Sequence, residues 1–109
     1  MIIDFNSMKE ENFPNFKGGE KSLEAKMFFD GKNRIMKGTL IPGATIGFHK
    51  HETSSEIIFI LEGSGKVLVE NGEEILTAGQ CHYCKKGESH SLVNCSNQNL
   101  VFFAVVPEQ

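Results

Sequence analysis

Apolar residues in this chain come in short runs, and the runs are separated by glycine-bearing turns. Asp30-Gly31, Pro42-Gly43, Gly63-Ser64-Gly65, Asn71-Gly72, Ala78-Gly79 and Lys86-Gly87 punctuate the sequence too often to leave room for long helices. Between them, segments rich in Val, Ile, Leu and Phe predict nine strands: Ala25–Phe29, Arg34–Leu40, Thr45–His51, Glu56–Glu62, Lys66–Glu70, Glu73–Leu76, Cys81–Cys84, His90–Asn94 and Leu100–Val106. Asn71-Gly72 predicts a two-residue type I′ hairpin turn, whose central positions both need positive φ. Alternation assigns faces. In the third strand Thr45, Gly47, His49 and His51 share one side, leaving Ile46, Phe48 and Lys50 on the other. In the fourth, Glu56, Ile58 and Ile60 point inward and Ile57, Phe59 and Leu61 outward. That strand and Leu100–Val106 are apolar on both faces, so both faces need cover. Helix is hinted only at Ser7-Met-Lys-Glu10, a capping-box pattern that Pro14 and Gly18-Gly19 stop within a turn or two. Residues 1–24 therefore read as an N-terminal arm laid against a β core at 25–106. Phe13 and Phe16 of the arm cover one apolar face and a second subunit covers the other. The expected architecture is all-β, a sandwich or barrel.

Composition narrows this further. A chain of 109 residues folds as one domain and hides roughly two thirds of its unfolded surface, enough for one core of modest depth. Ten Lys and one Arg against 12 Glu and two Asp give a formal charge of −3 without a basic stripe, which argues against nucleic-acid binding. No apolar run approaches the ~18 residues of a membrane span. The start Met1-Ile-Ile-Asp-Phe-Asn lacks the basic and apolar regions of a secretion signal, so a cytoplasmic location is expected. Three cysteines, an odd number, are expected as free thiols. Cys81-His-Tyr-Cys84 has dithiol spacing, but residues three apart in a strand face opposite ways and no second pair completes a zinc ribbon. Cys95 reads as a small core hydrophobe.

The histidines carry the chemistry. His49 and His51 are two apart in a strand, so both rings leave one face with Cα atoms roughly 6.5 Å apart, close enough to converge on one ion. After the polar turn Glu52-Thr-Ser-Ser55, Glu56 opens the next strand and can lie opposite the pair. His90 comes from a distant strand, and closure of a barrel could bring it to the same point. His82 reads as a satisfied or exposed side chain, with a supporting role behind the ligands as the alternative.

The spacing is more specific than the residue types. Gly43, five residues, His49-Lys50-His51, four residues, Glu56, six residues, Gly63 matches the first motif of the cupins. Gly79, five residues, Lys85-Lys86-Gly87, two residues, His90, three residues, Asn94 resembles the second, with Lys85 where that family usually has proline. The resemblance implies a small jelly-roll β-barrel whose interior holds a divalent Mn, Fe, Ni, Co or Zn ion on His49, His51, Glu56 and His90. Three neutral imidazoles and one carboxylate would leave such a centre with net charge +1 and one or two open positions. Glu56, on detaching, could also serve as a catalytic base. The implied function is metal-dependent chemistry on a small organic, possibly anionic substrate, dioxygenase- or decarboxylase-like. A non-catalytic binding or sensing barrel and a sugar isomerase or epimerase stand as alternatives. Arg34, Lys37, Lys85 and Lys86 are candidate attractors for an anion, and Tyr83 is a candidate cavity residue. A homodimer is expected, as in many cupins.

Overall fold

The alternating apolar positions resolve into two antiparallel sheets in the computed structural model, which describes residues 1–109. Ten strands form them: β1 Glu11–Pro14, β2 Ser22–Phe29, β3 Asn33–Leu40, β4 His49–Lys50, β5 Glu56–Glu62, β6 Ser64–Val69, β7 Gly72–Thr77, β8 Cys81–Cys84, β9 Ser89–Val93 and β10 Leu100–Pro107. One sheet has the order β1-β2-β3-β10-β5-β8 and the other β4-β9-β6-β7. This is an all-β jelly-roll barrel. Neighbours in each sheet lie far apart in sequence, so chain segments that never meet locally are brought together at its centre.

Between the sheets the inward positions of the strands form one apolar cluster. Leu23, Ala25, Met36 and Leu40 come from β2 and β3, Ile58 and Ile60 from β5, and Leu100, Phe102 and Ala104 from β10. Val67, Leu76 and Leu92 close it from the other sheet. Each fully buried Leu, Ile or Phe contributes about 1.5–3 kcal/mol relative to an exposed one, so this cluster holds the barrel shut. Phe13 and Phe16 pack against the same cluster. The outer face of the larger sheet is covered at one place by Phe5, whose ring meets Phe103 edge-on at 5.9 Å.

Five local expectations need correction. The N-terminal pattern does not make a helix from Ser7: Asp4 caps a single 3-10 turn at Phe5–Ser7, and Glu11–Pro14 pairs with β2 instead. Glu11↔Ala25 and Phe13↔Leu23 pairing gives that segment backbone partners that a one-turn helix would lack. The third expected strand shrinks to His49–Lys50. Its earlier part runs as an irregular connection, with Thr45 N–H bonded to Glu20 O and Ile46 N–H to Leu92 O. Alternation therefore fails there, and Ile46 is buried rather than outward. The β6–β7 hairpin is real, but Val69 pairs with Gly72, so the two loop residues are Glu70 and Asn71 and neither has positive φ. Cys95 is exposed, because it follows β9 into a surface turn rather than continuing the strand.

Candidate metal centre

β4 is short but firmly placed. His49 pairs with His90 and Lys50 with Ser89 across to β9. Beyond it, His51 N–H donates to Glu88 O at 3.0 Å and Gly87 N–H donates to His51 O at 2.6 Å, which ties the second histidine to the turn preceding β9. Gly87 takes φ +91° in that turn, a conformation that favours glycine. Lys85, at the position expected of proline, uses the N–H that proline lacks: it donates to Glu88 Oε1 at 3.0 Å, while Glu88 N–H closes the turn on Lys85 O at 3.0 Å. On the opposite sheet, Glu56 opens β5 across from Cys84 of β8. The connection between His51 and Glu56 is held by the chain end, where Gln109 N–H donates to Thr53 O and Gln109 Nε2 to Ser55 Oγ.

These constraints bring all four predicted ligand residues together. His51 Nε2 lies 3.1 Å from His49 Nε2, 3.0 Å from His90 Nε2 and 3.0 Å from Glu56 Oε1, and His90 Nε2 lies 2.9 Å from the same carboxylate oxygen. His51, Glu56 and His90 are buried and His49 is half-buried. Each Nδ1 atom is engaged elsewhere. His49 Nδ1 donates to Gly47 O at 2.7 Å, His51 Nδ1 meets Ser54 Oγ at 2.9 Å and His90 Nδ1 meets His82 Nε2 at 3.0 Å.

Because a carbonyl only accepts, His49 carries its proton on Nδ1 and, as a neutral ring, turns a bare Nε2 toward the cluster. Burial, together with the charge of neighbouring His90, keeps the His49 imidazole below its ordinary range and so favours that neutral form. Burial alone would raise the Glu56 carboxyl, but His51 and His90, by hydrogen bonding and by charge, hold it at about 2. The result is an ionised carboxylate and three Nε2 atoms converging on one point, that of His49 with its lone pair and those of His51 and His90 with a proton for Glu56 that an incoming cation would displace. Such a set repels itself unless protons or a cation sit between its members. Nitrogen and oxygen donors of this kind suit a divalent transition ion, and the residues present fit one.

A pocket of about 320 Å³ opens onto His49, His51 and Glu56. Arg34 lines it, as do Lys17 and Lys50, two lysines that the face assignment did not bring forward. Met36, Ile46, Phe16 and Val106 supply its apolar wall. The other candidates lie elsewhere. Lys37 is exposed, beside Glu10 and Glu62; Lys85 is exposed in its turn; and Lys86 Nζ donates to Gln109 O at 2.9 Å. Tyr83 is exposed and borders a different hollow. Cys81 is exposed and Cys84 buried, on opposite faces of β8. Burial and the nearby carboxylates push the Cys84 thiol up to about 11.

His82, expected as a satisfied or exposed side chain with a supporting role as the alternative, stands directly behind the cluster. It is buried, bonded to His90 on one side and to Glu74 Oε1 at 2.8 Å on the other. Strand alternation contained the signal, since His82 pairs with Ile58 and shares the inward face of β8 with Cys84. Its partner Glu74 lies on β7 of the other sheet, and no local pattern announces that contact.

Comparison with known proteins agrees with this fold. The family model described as a cupin domain matches residues 36–106. The oxalate-binding protein of Thermotoga maritima is 34% identical, over 97% of this chain and 93% of its own length. A crystal structure of a predicted oxalate decarboxylase from Thermotoga maritima superimposes with TM-score 0.92 at 30% identity, covering 100% of both chains. A sugar phosphate isomerase from Silicibacter pomeroyi shares the fold at TM-score 0.81 and 18% identity, over 100% of this chain and 76% of its own.

Proposed function

The chain belongs to the cupin family, and from that premise we propose that it captures a small dicarboxylate of the oxalate type on a divalent transition metal, in the service of a decarboxylase- or dioxygenase-like reaction. The observation that carries this reading is the convergence of three imidazoles and the Glu56 carboxylate, their ligand atoms all within 4.8 Å of one another, beside a pocket lined by Arg34, Lys17 and Lys50. His49, His51, Glu56 and His90 would hold the metal, which supplies a Lewis acid with positions open to a chelating ligand. Arg34 and the two lysines give the pocket a positive rim that draws a dianion inward. Met36, Ile46 and Val106 give it one apolar wall, and a less polar surrounding on that side strengthens the attraction between the rim and an anion. Glu56 lines the pocket, and its carboxylate, if free of the ion, could serve as a base there.

A second reading, capture without turnover, is favoured by one observation. All four histidines are committed to the cluster or to the contact behind it, and Glu52 is the one carboxylate besides Glu56 that lines the pocket. Acid–base groups free to serve a reaction are therefore few. The similar oxalate-binding protein is consistent with that reading. Titrating the metal-loaded protein with oxalate and with acetate tests the capture: metal-dependent binding of oxalate in preference to acetate is expected, and equal or metal-independent binding overturns it. Measuring CO2, formate and O2 consumption with bound oxalate then separates enzyme from binder.

We also propose that the protein works as a homodimer. Ile57, Phe59 and Leu61 remain about 40% exposed in a row along β5, with Tyr83 of adjacent β8 exposed beside them. A second copy of the same face is the cover that Phe5 alone does not supply.

A further inference from the structure

We propose that Glu74 and His82 are positioning residues that fix which nitrogen of His90 carries the proton, and so set the affinity of the cluster for its cation; this rests on the metal-centre reading above. His82 is 3% exposed, with Nε2 3.0 Å from His90 Nδ1 and Nδ1 2.8 Å from Glu74 Oε1. The His82 and His90 ring planes are inclined by only 28° and their centroids are 5.2 Å apart. That separation exceeds the N···N distance by about two ring radii, so the two nitrogens lie close to the line joining the rings. The contact is an in-plane hydrogen bond rather than a stack.

Neutral rings can be linked in this chain in two ways. In one, His82 Nδ1–H donates to the Glu74 carboxylate and His90 Nδ1–H donates to the bare His82 Nε2. His90 then turns an Nε2 lone pair toward His49, His51 and Glu56. In the other, both protons move to the Nε2 atoms. His90 would donate to Glu56, and a bare His82 Nδ1 would face a carboxylate oxygen at 2.8 Å, two acceptors in contact. Without a cation the first arrangement has a matching cost, since the bare His90 Nε2 faces Glu56 Oε1 at 2.9 Å; a cation between them removes it, and an ionised Glu74 then favours the first arrangement, the one that binds the cation.

The other ligands are oriented by simpler devices. Gly47 O imposes the same tautomer on His49, and the Ser54 hydroxyl, which can donate or accept, leaves His51 adaptable. His90 alone is backed by a charge, and a carboxylate behind a ligating imidazole raises the basicity of the ligand. The relay also leads away from the substrate pocket. Glu74 and His82 line a separate hollow of about 250 Å³ bordered by Glu70, Asn71 and Glu88. Cys84 lies close enough to His82 and His90 to suggest a second cation site, but its thiol holds its proton and donates to Glu88 O. The hydrogen-bonded relay accounts for the cluster without one.

The test is Zn2+ affinity, measured by competition with a chromogenic chelator, together with the NMR resonance of the His90 Nδ1 proton in the Zn2+-loaded protein. Glu74→Leu and His82→Phe should weaken Zn2+ binding about ten- to a hundred-fold. Glu74→Gln, which keeps an accepting oxygen but not the charge, should fall between Glu74→Leu and wild type. The His90 proton should resonate at low field and exchange slowly in wild type, move upfield in Glu74→Gln and lose its protection in His82→Phe. Glu74 is half-exposed on the surface strand β7, so its variants keep the fold; Glu73→Gln, whose residue pairs with Lys66, is the control expected to change nothing. Affinity within about twofold of wild type in both Glu74 variants, with an unmoved proton resonance, overturns the relay alone. A wild-type protein that takes up no Zn2+ overturns the metal centre and the relay with it.

Discussion

His51 touches every other member of the cluster, with its Nε2 atom within 3.1 Å of His49, Glu56 and His90. Removing it takes away a ligand and leaves the Glu56 carboxylate one donor short. His51→Ala should abolish metal uptake, measured by mass spectrometry after dialysis without chelator; retained stoichiometry would place the metal elsewhere. The same atoms make the metal-free protein sensitive to acid. The folded chain holds Glu56 at about 2 against an ordinary 4.5, and His49 below an ordinary 6.5, so the unfolded chain binds protons more readily at both groups. Stability is then fully present above 6.5, falls as His49 is forced to charge below that value, and falls again between 4.5 and 2 as Glu56 protonates. Urea midpoints taken above 6.5, between 6.5 and 4.5, and below 4.5 should decrease in that order. Asn94 is a residue of a different kind. Fully buried, its amide donates to Leu40 O and Gln98 O, both at 2.8 Å, and its oxygen accepts from the N–H and hydroxyl of Ser96. Asn94→Ala strands two carbonyls and should cost about 2 kcal/mol or more in urea unfolding without altering the ligands.

Among the elements, the turn from Lys85 to Glu88 does the most for the site, because it fixes His51 from one side and launches β9 from the other. A Cβ at Gly87 would meet nothing within 4 Å, so Gly87→Ala isolates the cost of its positive φ, about 1–2 kcal/mol. Gly47→Ala should cost more, since its Cβ would clash with Lys17 O and displace the carbonyl that orients His49. Thermal or urea unfolding of the two variants should rank them in that order. Strand β5 was legible in the sequence residue by residue: Glu56, Ile58 and Ile60 are buried and Ile57, Phe59 and Leu61 exposed, as period-two alternation requires. The four ligands were legible for a related reason, since their positions depend on spacing within regular strands and one tight turn. What escaped depends on contacts between distant segments. Ile46 is buried because its backbone bonds to Leu92 rather than continuing a strand, β1 exists because β2 offers an open edge, and His82 meets Glu74 across the two sheets. Local periodicity carries no information about any of these.

For the molecule as a whole, the apolar row on β5 gives a direct expectation about size in solution. Wild type should elute as a dimer in size-exclusion chromatography with light scattering, and Phe59→Lys should elute as a monomer that still takes up metal. A monomeric wild type would sink the dimer and leave the metal centre untouched. The ligands are also divided between the two sheets: His49 and His90 stand on the four-stranded sheet and His51 follows β4 directly, whereas Glu56 begins β5 of the six-stranded one. An ion gripping all four would act as a removable cross-link, closing a loop between segments 39 residues apart at His51 and His90. Such a link cannot form until both sheets are in place, so metal capture should be the last event of folding. Its loss should loosen the seam between the sheets before it disturbs either one, and hydrogen exchange on stripping the metal should quicken first along β4, β9 and the start of β5.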